Sequence, residues 1–295
     1  MFQNLLYQIQ QGNIKSLARC ISLIENEYNG YEAFLKELPI STTKIIGITG
    51  PPGAGKSTLT DALINEIILQ QNRVAVVCVD PSSPFNLGAL LGDRIRMSEW
   101  YNNENVFIRS LATRGSLGGL HPKIIEITDI LKVAPFDYIL VETVGVGQSE
   151  IEIAGLADTT IVVVVPEAGD EVQTMKAGLM EIADIFVVNK ADRPDADIFV
   201  KNLKQMLAPA FSKNKSPITI VKTIASQKQG VHHLFQKIIE HNNNVNNEKH
   251  FWLLAEKAYH LIQQKRMKNI DKKLLKMKIE TTHETNMYKF IEPYI

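Results

Sequence analysis

Gly50, Gly55, Lys56 and Ser57 stand at the spacing G-x-x-x-x-G-K-[ST] in the stretch GPPGAGKST, residues 50–58. That spacing suits phosphate chemistry. Glycines let backbone N–H groups converge on phosphate oxygens without Cβ clashes, and a helix starting at the loop adds the positive end of its dipole. A lysine at position 56 reaches β- and γ-phosphates, and the hydroxyl of Ser57 is placed to ligate Mg²⁺. The apolar run KIIGIT precedes the loop and the helical pattern TLTDALINEIILQ follows it, which is the strand–loop–helix context the motif requires. Gly50, Pro51, Pro52, Gly53, Ala54, Gly55, Lys56, Ser57 and Thr58 therefore read as a nucleoside triphosphate cradle.

A second group concerns the base. Asn189, Lys190 and Asp192 close the run DIFVV as N-K-x-D, which resembles the element by which GTPases read guanine. A carboxylate at Asp192 would accept from N1–H and the exocyclic amine of guanine, a pattern adenine does not offer. Asn189 would tie this loop to the phosphate loop, and the Lys190 stem would cover the base face. In KTIASQKQG, residues 222–230, the backbone amide of Ala225 would meet guanine O6. Such loops often carry Ser-Ala where this chain has Ile224-Ala225. GTP and GDP are the expected nucleotides, in preference to ATP.

These groups need a scaffold. Seven short β-branched runs, KIIGIT, VAVVCV, VFIRSL, YILVE, TTIVVVV, DIFVVN and ITIVKT, alternate with helical patterns between residues 41 and 240. Most are apolar on both faces, as in a parallel sheet covered by helices on each side. The expected fold is α/β, a three-layer P-loop NTPase with a mostly parallel central sheet. Residues 1–40 read as a helical N-terminal extension, 41–240 as the nucleotide domain, and 241–295 as a C-terminal helical arm entered through the polar stretch HNNNVNNEKH.

Bulk composition narrows the class. The 295 residues are 45% hydrophobic and 22% charged, with 32 Lys+Arg against 32 Asp+Glu. Such a balance gives no basic field to hold nucleic acid or an anionic membrane surface. Two cysteines, Cys20 and Cys78, are too few and too far apart for a disulfide framework or a metal cluster, which fits a reducing cytoplasm. The start MFQNLLYQIQQGN has neither the basic opening nor the apolar core of a signal peptide, and IVVVV is too short to span a bilayer.

Taken in order, GPPGAGKST, VDPSSP, GALLGDRIRM, RGSLGGL, ETVGVGQSE and NKAD resemble the MeaB/ArgK/MMAA family of P-loop GTPases. The resemblance extends over nearly the whole chain and is weakest in the tail. It implies GTP hydrolysis that gates adenosylcobalamin loading and protection of methylmalonyl-CoA mutase or a close relative, and a homodimer built through the arm. Many GTPases present Asp-x-x-Gly as γ-phosphate sensor; here Glu142 to Gly145 would serve. A carboxylate buried at a strand end needs a partner, and Mg²⁺ is the natural one for Glu142. Gly145 would offer its N–H to the γ-phosphate, and Gly147 leaves the loop room to rearrange. By resemblance Asp80 and Asp93 help hold Mg²⁺ or its waters. Val146 stands where Ras-like enzymes place a water-orienting Gln, and Gln148 is offset, so slow intrinsic hydrolysis is expected. Residues 166–178 correspond to the family's switch III, where Lys176 is a candidate to reach the nucleotide. Arg114, in TRGSLGGL, is a candidate phosphate or partner contact. Two other readings share the fold class. A small-molecule kinase of the arginine/ornithine transport type would carry an arginine-rich lid and an acceptor base. A nickel-delivery GTPase would carry Cys/His clusters, whereas His232 and His233 fall on different faces of one helix.

Overall fold

All seven apolar runs form strands: β1 (Lys44–Thr49), β2 (Val74–Asp80), β3 (Val106–Ala112), β4 (Tyr138–Glu142), β5 (Thr159–Val164), β6 (Ile185–Val188) and β7 (Thr219–Lys222). The computed structural model describes residues 1–80, 97–113, 120–143, 152–167, 182–211, 219–243, 247–282 and 285–294. Among these the strands make one sheet, ordered β3-β2-β4-β1-β5-β6-β7, with every pair parallel. Every residue of β5 and β6 is buried, because helices lie on both faces.

The period-2 alternation divides each strand between two cores. Ile161 and Val163 join Ile46, Ile48, Leu140 and the apolar faces of α4 (Lys56–Leu69) and α7 (Val231–Asn243), including Leu63, Ile67, Phe235 and Ile238. Val162 and Val164 face the other way, with Phe186, Val188 and the α6 (Ala196–Phe211) residues Phe199, Leu203 and Leu207. Each such side chain contributes about 1.5–3 kcal/mol by leaving water. α5 (Ile124–Val133) covers β4. The result is three layers around a sheet wholly rather than mostly parallel.

The N-terminal extension is three helices, α1 (Phe2–Gln10), α2 (Ile14–Glu25) and α3 (Tyr31–Leu35). Asn13 caps α2 by accepting from the Ser16 N–H at 2.9 Å. α2 packs on α5, and Arg109 of β3 reaches Glu25 and the Ser22 hydroxyl. Lys123 pairs with Glu27 at 2.9 Å and Glu126 at 3.3 Å and donates to the Tyr31 hydroxyl at 3.1 Å. Burial alone would lower the pKa of this ammonium; the bonds to Glu27 and Tyr31 and the Glu126 charge instead hold it above the ordinary lysine value. Cys20 and Cys78 are both buried thiols outside any disulfide, and burial pushes the Cys20 thiol up to about 12.

Two compact units divide the chain, Met1–Leu253 and Leu254–Ile295. The polar stretch 241–250, read from composition as a linker, is helical at both ends. α7 runs to Asn243 and α8 (Asn247–Met267) begins four residues later. Side-chain bonds explain why α7 persists. His241 lies 2.8 Å from the Thr159 hydroxyl and 3.2 Å from Asp184, and Asn242 accepts from Thr159 at 2.7 Å. The second unit continues with α9 (Lys272–Thr282) and α10 (Met287–Ile291). No helix among the described residues is long and apolar enough to cross a membrane.

Candidate functional site

The carboxyl ends of β1, β4 and β2 lie side by side, with Ile48 and Cys78 flanking Glu142 in register. A parallel sheet gathers loops and helix N-termini at this edge, the usual place for a ligand in an open α/β fold. The phosphate loop leaves β1 here, and its glycines are required by geometry. Gly50 has φ +139, and a Cβ there would stand 2.1 Å from the Val163 carbonyl oxygen. Gly55 has φ +88, and a Cβ would meet Asn189 Nδ2 at 2.4 Å. Gly53, at φ +78, has nothing within 4 Å of its notional Cβ. The loop is thus packed tightly on its inner side and open where a phosphate would approach.

Lys56 begins α4, is only 7% exposed, and donates from Nζ to the Gly50 carbonyl at 2.8 Å and the Pro51 carbonyl at 3.0 Å. Its ammonium lies along the loop it would share with phosphate oxygens. Ser57 Oγ donates to Glu142 Oε1 at 2.6 Å. Thr60 Oγ1 stands 2.8 Å from Glu142 Oε2 and 3.0 Å from the Lys56 carbonyl. Glu142 is 6% exposed, so two hydroxyls of α4 grip a buried carboxylate. Thr143 follows it and anchors the strand end, with its N–H on the Ile48 carbonyl at 3.0 Å and its hydroxyl on Thr49 at 2.9 Å. Asp80 ends β2 at the same edge.

The residues expected to read the base form a second knot. Asn189, 2% exposed, donates from Nδ2 to the Ala54 carbonyl at 2.9 Å, and its Oδ1 accepts from the Thr223 hydroxyl and the Ala225 N–H, both at 3.1 Å. One side chain therefore joins the phosphate loop to both strand-end loops. Lys190, at φ +55, donates to the Gly53 carbonyl at 2.8 Å. The Asp192 side chain is exposed. Ala225 is buried, and its N–H serves Asn189, so a contact to guanine O6 would have to share that hydrogen. Arg193 forms an ion pair with Glu167 at the end of the β5 segment.

Lys56, Ser57, Glu142, Asn189, Lys190 and the loop 50–55 are thus brought together. Gly145, Lys176, Asp93 and Arg114 lie outside the described residues, as do Val146, Gly147 and Gln148. Sequence reasoning passed over Thr60, which belongs to no motif. A hydroxyl one turn beyond Ser57 on the same helix face was the signal that could have found it. Among the described residues no group of three or more His, Cys, Asp or Glu side chains is arranged to hold a metal.

The donor set fits a nucleotide with a hard divalent cation: oxygen ligands from a hydroxyl and a carboxylate, beside a loop of glycines open on one side. Ser57 gives its hydrogen to Glu142, which leaves the Oγ lone pairs for a cation. Bound Mg²⁺ would supply charge neutralisation for the β- and γ-phosphate oxygens.

Comparisons with known proteins agree with this geometry. The family model described as Methylmalonyl Co-A mutase-associated GTPase MeaB matches residues 17–281. A putative GTPase of Pyrococcus horikoshii is 49% identical over 245 residues, covering 80% of this chain and 76% of that protein. A fused isobutyryl-CoA mutase of Geobacillus kaustophilus is 34% identical over 252 residues, covering 80% of this chain and 23% of that one. The solved structure of a LAO/AO transport system kinase superposes with a TM-score of 0.68 at 24% identity, covering 99% of this chain and 96% of that chain. At this identity the last likeness establishes the P-loop NTPase fold.

Proposed function

The chain belongs to the methylmalonyl-CoA mutase-associated GTPase family, MeaB, and we propose that it hydrolyses GTP to gate cofactor loading and protection of a cobalamin-dependent acyl-CoA mutase. Guanine nucleotide binding and GTP hydrolysis follow from the family itself. The observation that carries the gating reading is the fused relative, in which a GTPase-like stretch and an isobutyryl-CoA mutase share one polypeptide. Fusion makes association permanent where separate chains must find each other, so a mutase is the partner the relationship favours. Hydrolysis would report state rather than make product.

The chemistry rests on positioning. Lys56 would neutralise phosphate charge, and Ser57 and Glu142 would hold Mg²⁺ directly or through water, with Asp80 and Asp93 assisting as the family resemblance implies. Asn189, Lys190 and Asp192 read guanine, assisted by Ala225. Gly145 would contact the γ-phosphate, and Lys176 is the candidate to reach the nucleotide in the complex with a partner. Val146 cannot polarise water, so the unassisted rate is slow.

The C-terminal arm, residues 241–295, acts in dimerisation. Leu254, Tyr259, Ile262, Leu274, Met277 and Tyr288 are all exposed, Tyr288 by 85%. Apolar side chains in such number call for a cover, and a second copy supplies one. Sedimentation equilibrium of the purified chain is expected to give a dimer; a monomer at micromolar concentration would refute it.

GTP turnover measured with and without a purified cobalamin-dependent mutase tests the main proposal. Stimulation by the mutase is expected. Unchanged turnover, together with transfer of γ-phosphate label to arginine or ornithine, would establish the kinase reading instead.

A further inference from the structure

We infer that Thr60 is a positioning residue for the metal site: its hydroxyl fixes the rotamer of Glu142, and through it the hydroxyl of Ser57. The inference rests on the proposed nucleotide site and adds to it a residue that no motif contains. Thr60 is fully buried in the first turns of α4. Its hydroxyl has one hydrogen and two acceptors within reach, the Lys56 carbonyl at 3.0 Å and Glu142 Oε2 at 2.8 Å. The Lys56 carbonyl belongs to the helical backbone and has an amide to satisfy it, as the Thr60 N–H lies one turn on. The carboxylate is the charged acceptor, and bonds to charged acceptors are the stronger ones. The hydrogen therefore goes to Glu142.

Glu142 then has one oxygen on Ser57 at 2.6 Å and the other on Thr60. A carboxylate gripped at both oxygens cannot rotate about its terminal bond. That matters for Ser57, whose hydroxyl hydrogen is aimed at Oε1. While it is so aimed, the Ser57 lone pairs are left available to a cation. Without the Thr60 bond, Glu142 loses one of its two hydroxyl anchors and the Ser57 rotor is set less firmly. Thr60 touches neither nucleotide nor cation in this scheme; it acts on both through Glu142, as outer-shell partners of metal ligands do.

The test compares Thr60→Val, which keeps the shape and removes the hydroxyl, with Thr60→Ser, which restores it. Release of a fluorescent GDP analogue is followed while Mg²⁺ is titrated from an EDTA-buffered baseline. Circular dichroism checks folding, and Thr60→Ala replaces Thr60→Val should that variant not fold. The expected result is an about tenfold rise in the Mg²⁺ concentration that half-maximally slows release in Thr60→Val. The EDTA release rate should match wild type, and Thr60→Ser should return the Mg²⁺ requirement to within about twofold of wild type. An unchanged Mg²⁺ requirement in Thr60→Val would overturn the inference. So would faster release in EDTA as well, which would mark Thr60 as part of the helix packing, or failure of Thr60→Ser to restore it. If wild type itself binds no GDP analogue, the underlying nucleotide reading fails instead, and the two failures are told apart by that control.

Discussion

The phosphate end and the base end of the site are built differently. At the phosphate end the polar side chains are bonded to one another: Lys56 to the Gly50 and Pro51 carbonyls, Ser57 and Thr60 to Glu142. At the base end a single internal residue, Asn189, is bonded on every side while Asp192 is left exposed. The contrast separates two tasks. In the proposed function phosphate and Mg²⁺ would enter a network that is already bonded, so affinity there would depend on exchanging internal bonds for equal or better ones. Guanine would meet the exposed Asp192 carboxylate, so selectivity would depend on a single side chain beside the Asn189 knot.

The most severe way to break the contrast is at Lys56. Lys56→Ala removes the buried ammonium bonded to the Gly50 and Pro51 carbonyls, and kcat should fall by about 10²–10³-fold with nucleotide binding strongly weakened. Stopped-flow and steady-state turnover would read both. Next comes the packed inner side of the loop. Gly55→Ala drives a Cβ to 2.4 Å from Asn189 Nδ2, so it damages both ends together. Urea unfolding should show a loss of about 1–3 kcal/mol, with GTP affinity reduced. Gly53→Ala sharpens the comparison, because its Cβ meets nothing and only the positive φ is penalised. Stability should drop by about 1 kcal/mol, while nucleotide affinity falls through obstruction of the open face.

The smallest effect lies at the far end of α4, remote from both knots. Glu66 sits 2.8 Å from His232 Nδ1 and accepts from Gln70 at 2.9 Å. Partial burial would raise its pKa, but the bonds from His232 and Gln70 outweigh that and hold it below the usual carboxylate value. A carboxyl lowered on folding contributes stability above its unfolded pKa of about 4.3, and loses it as pH falls through the folded value. Glu66→Gln should flatten the fall of Tm below that pH and leave GTP turnover unchanged; thermal melts across pH 3–6 would check it.

Much of this was legible from residue types. The seven apolar runs became seven strands because burial on both faces admits few other residues, and the glycine spacing of the loop proved to be enforced by Val163 and Asn189. What stayed hidden involves side chains whose partners are distant in sequence. Thr60 and Glu142 are separated by 82 positions, and nothing in either neighbourhood announces the pairing. The Ala225 N–H, the donor expected to meet guanine O6, donates to Asn189 Oδ1 at 3.1 Å, a bond no residue type announces because a backbone donor has no sequence signature of its own. The polar stretch 241–250 looked like a linker by composition, but His241 and Asn242 are polar because they bind Thr159 and Asp184 on the sheet.

The central claim is that a guanine nucleotide with Mg²⁺ seats on residues 50–57 with its base at Asp192. Calorimetric titration of the purified chain with non-hydrolysable GTP and ATP analogues, each with Mg²⁺, tests it most directly. One-to-one binding of the GTP analogue is expected, at least about a hundredfold tighter than the ATP analogue. Equal affinities, a preference for the adenine nucleotide, or no heat with either would contradict it.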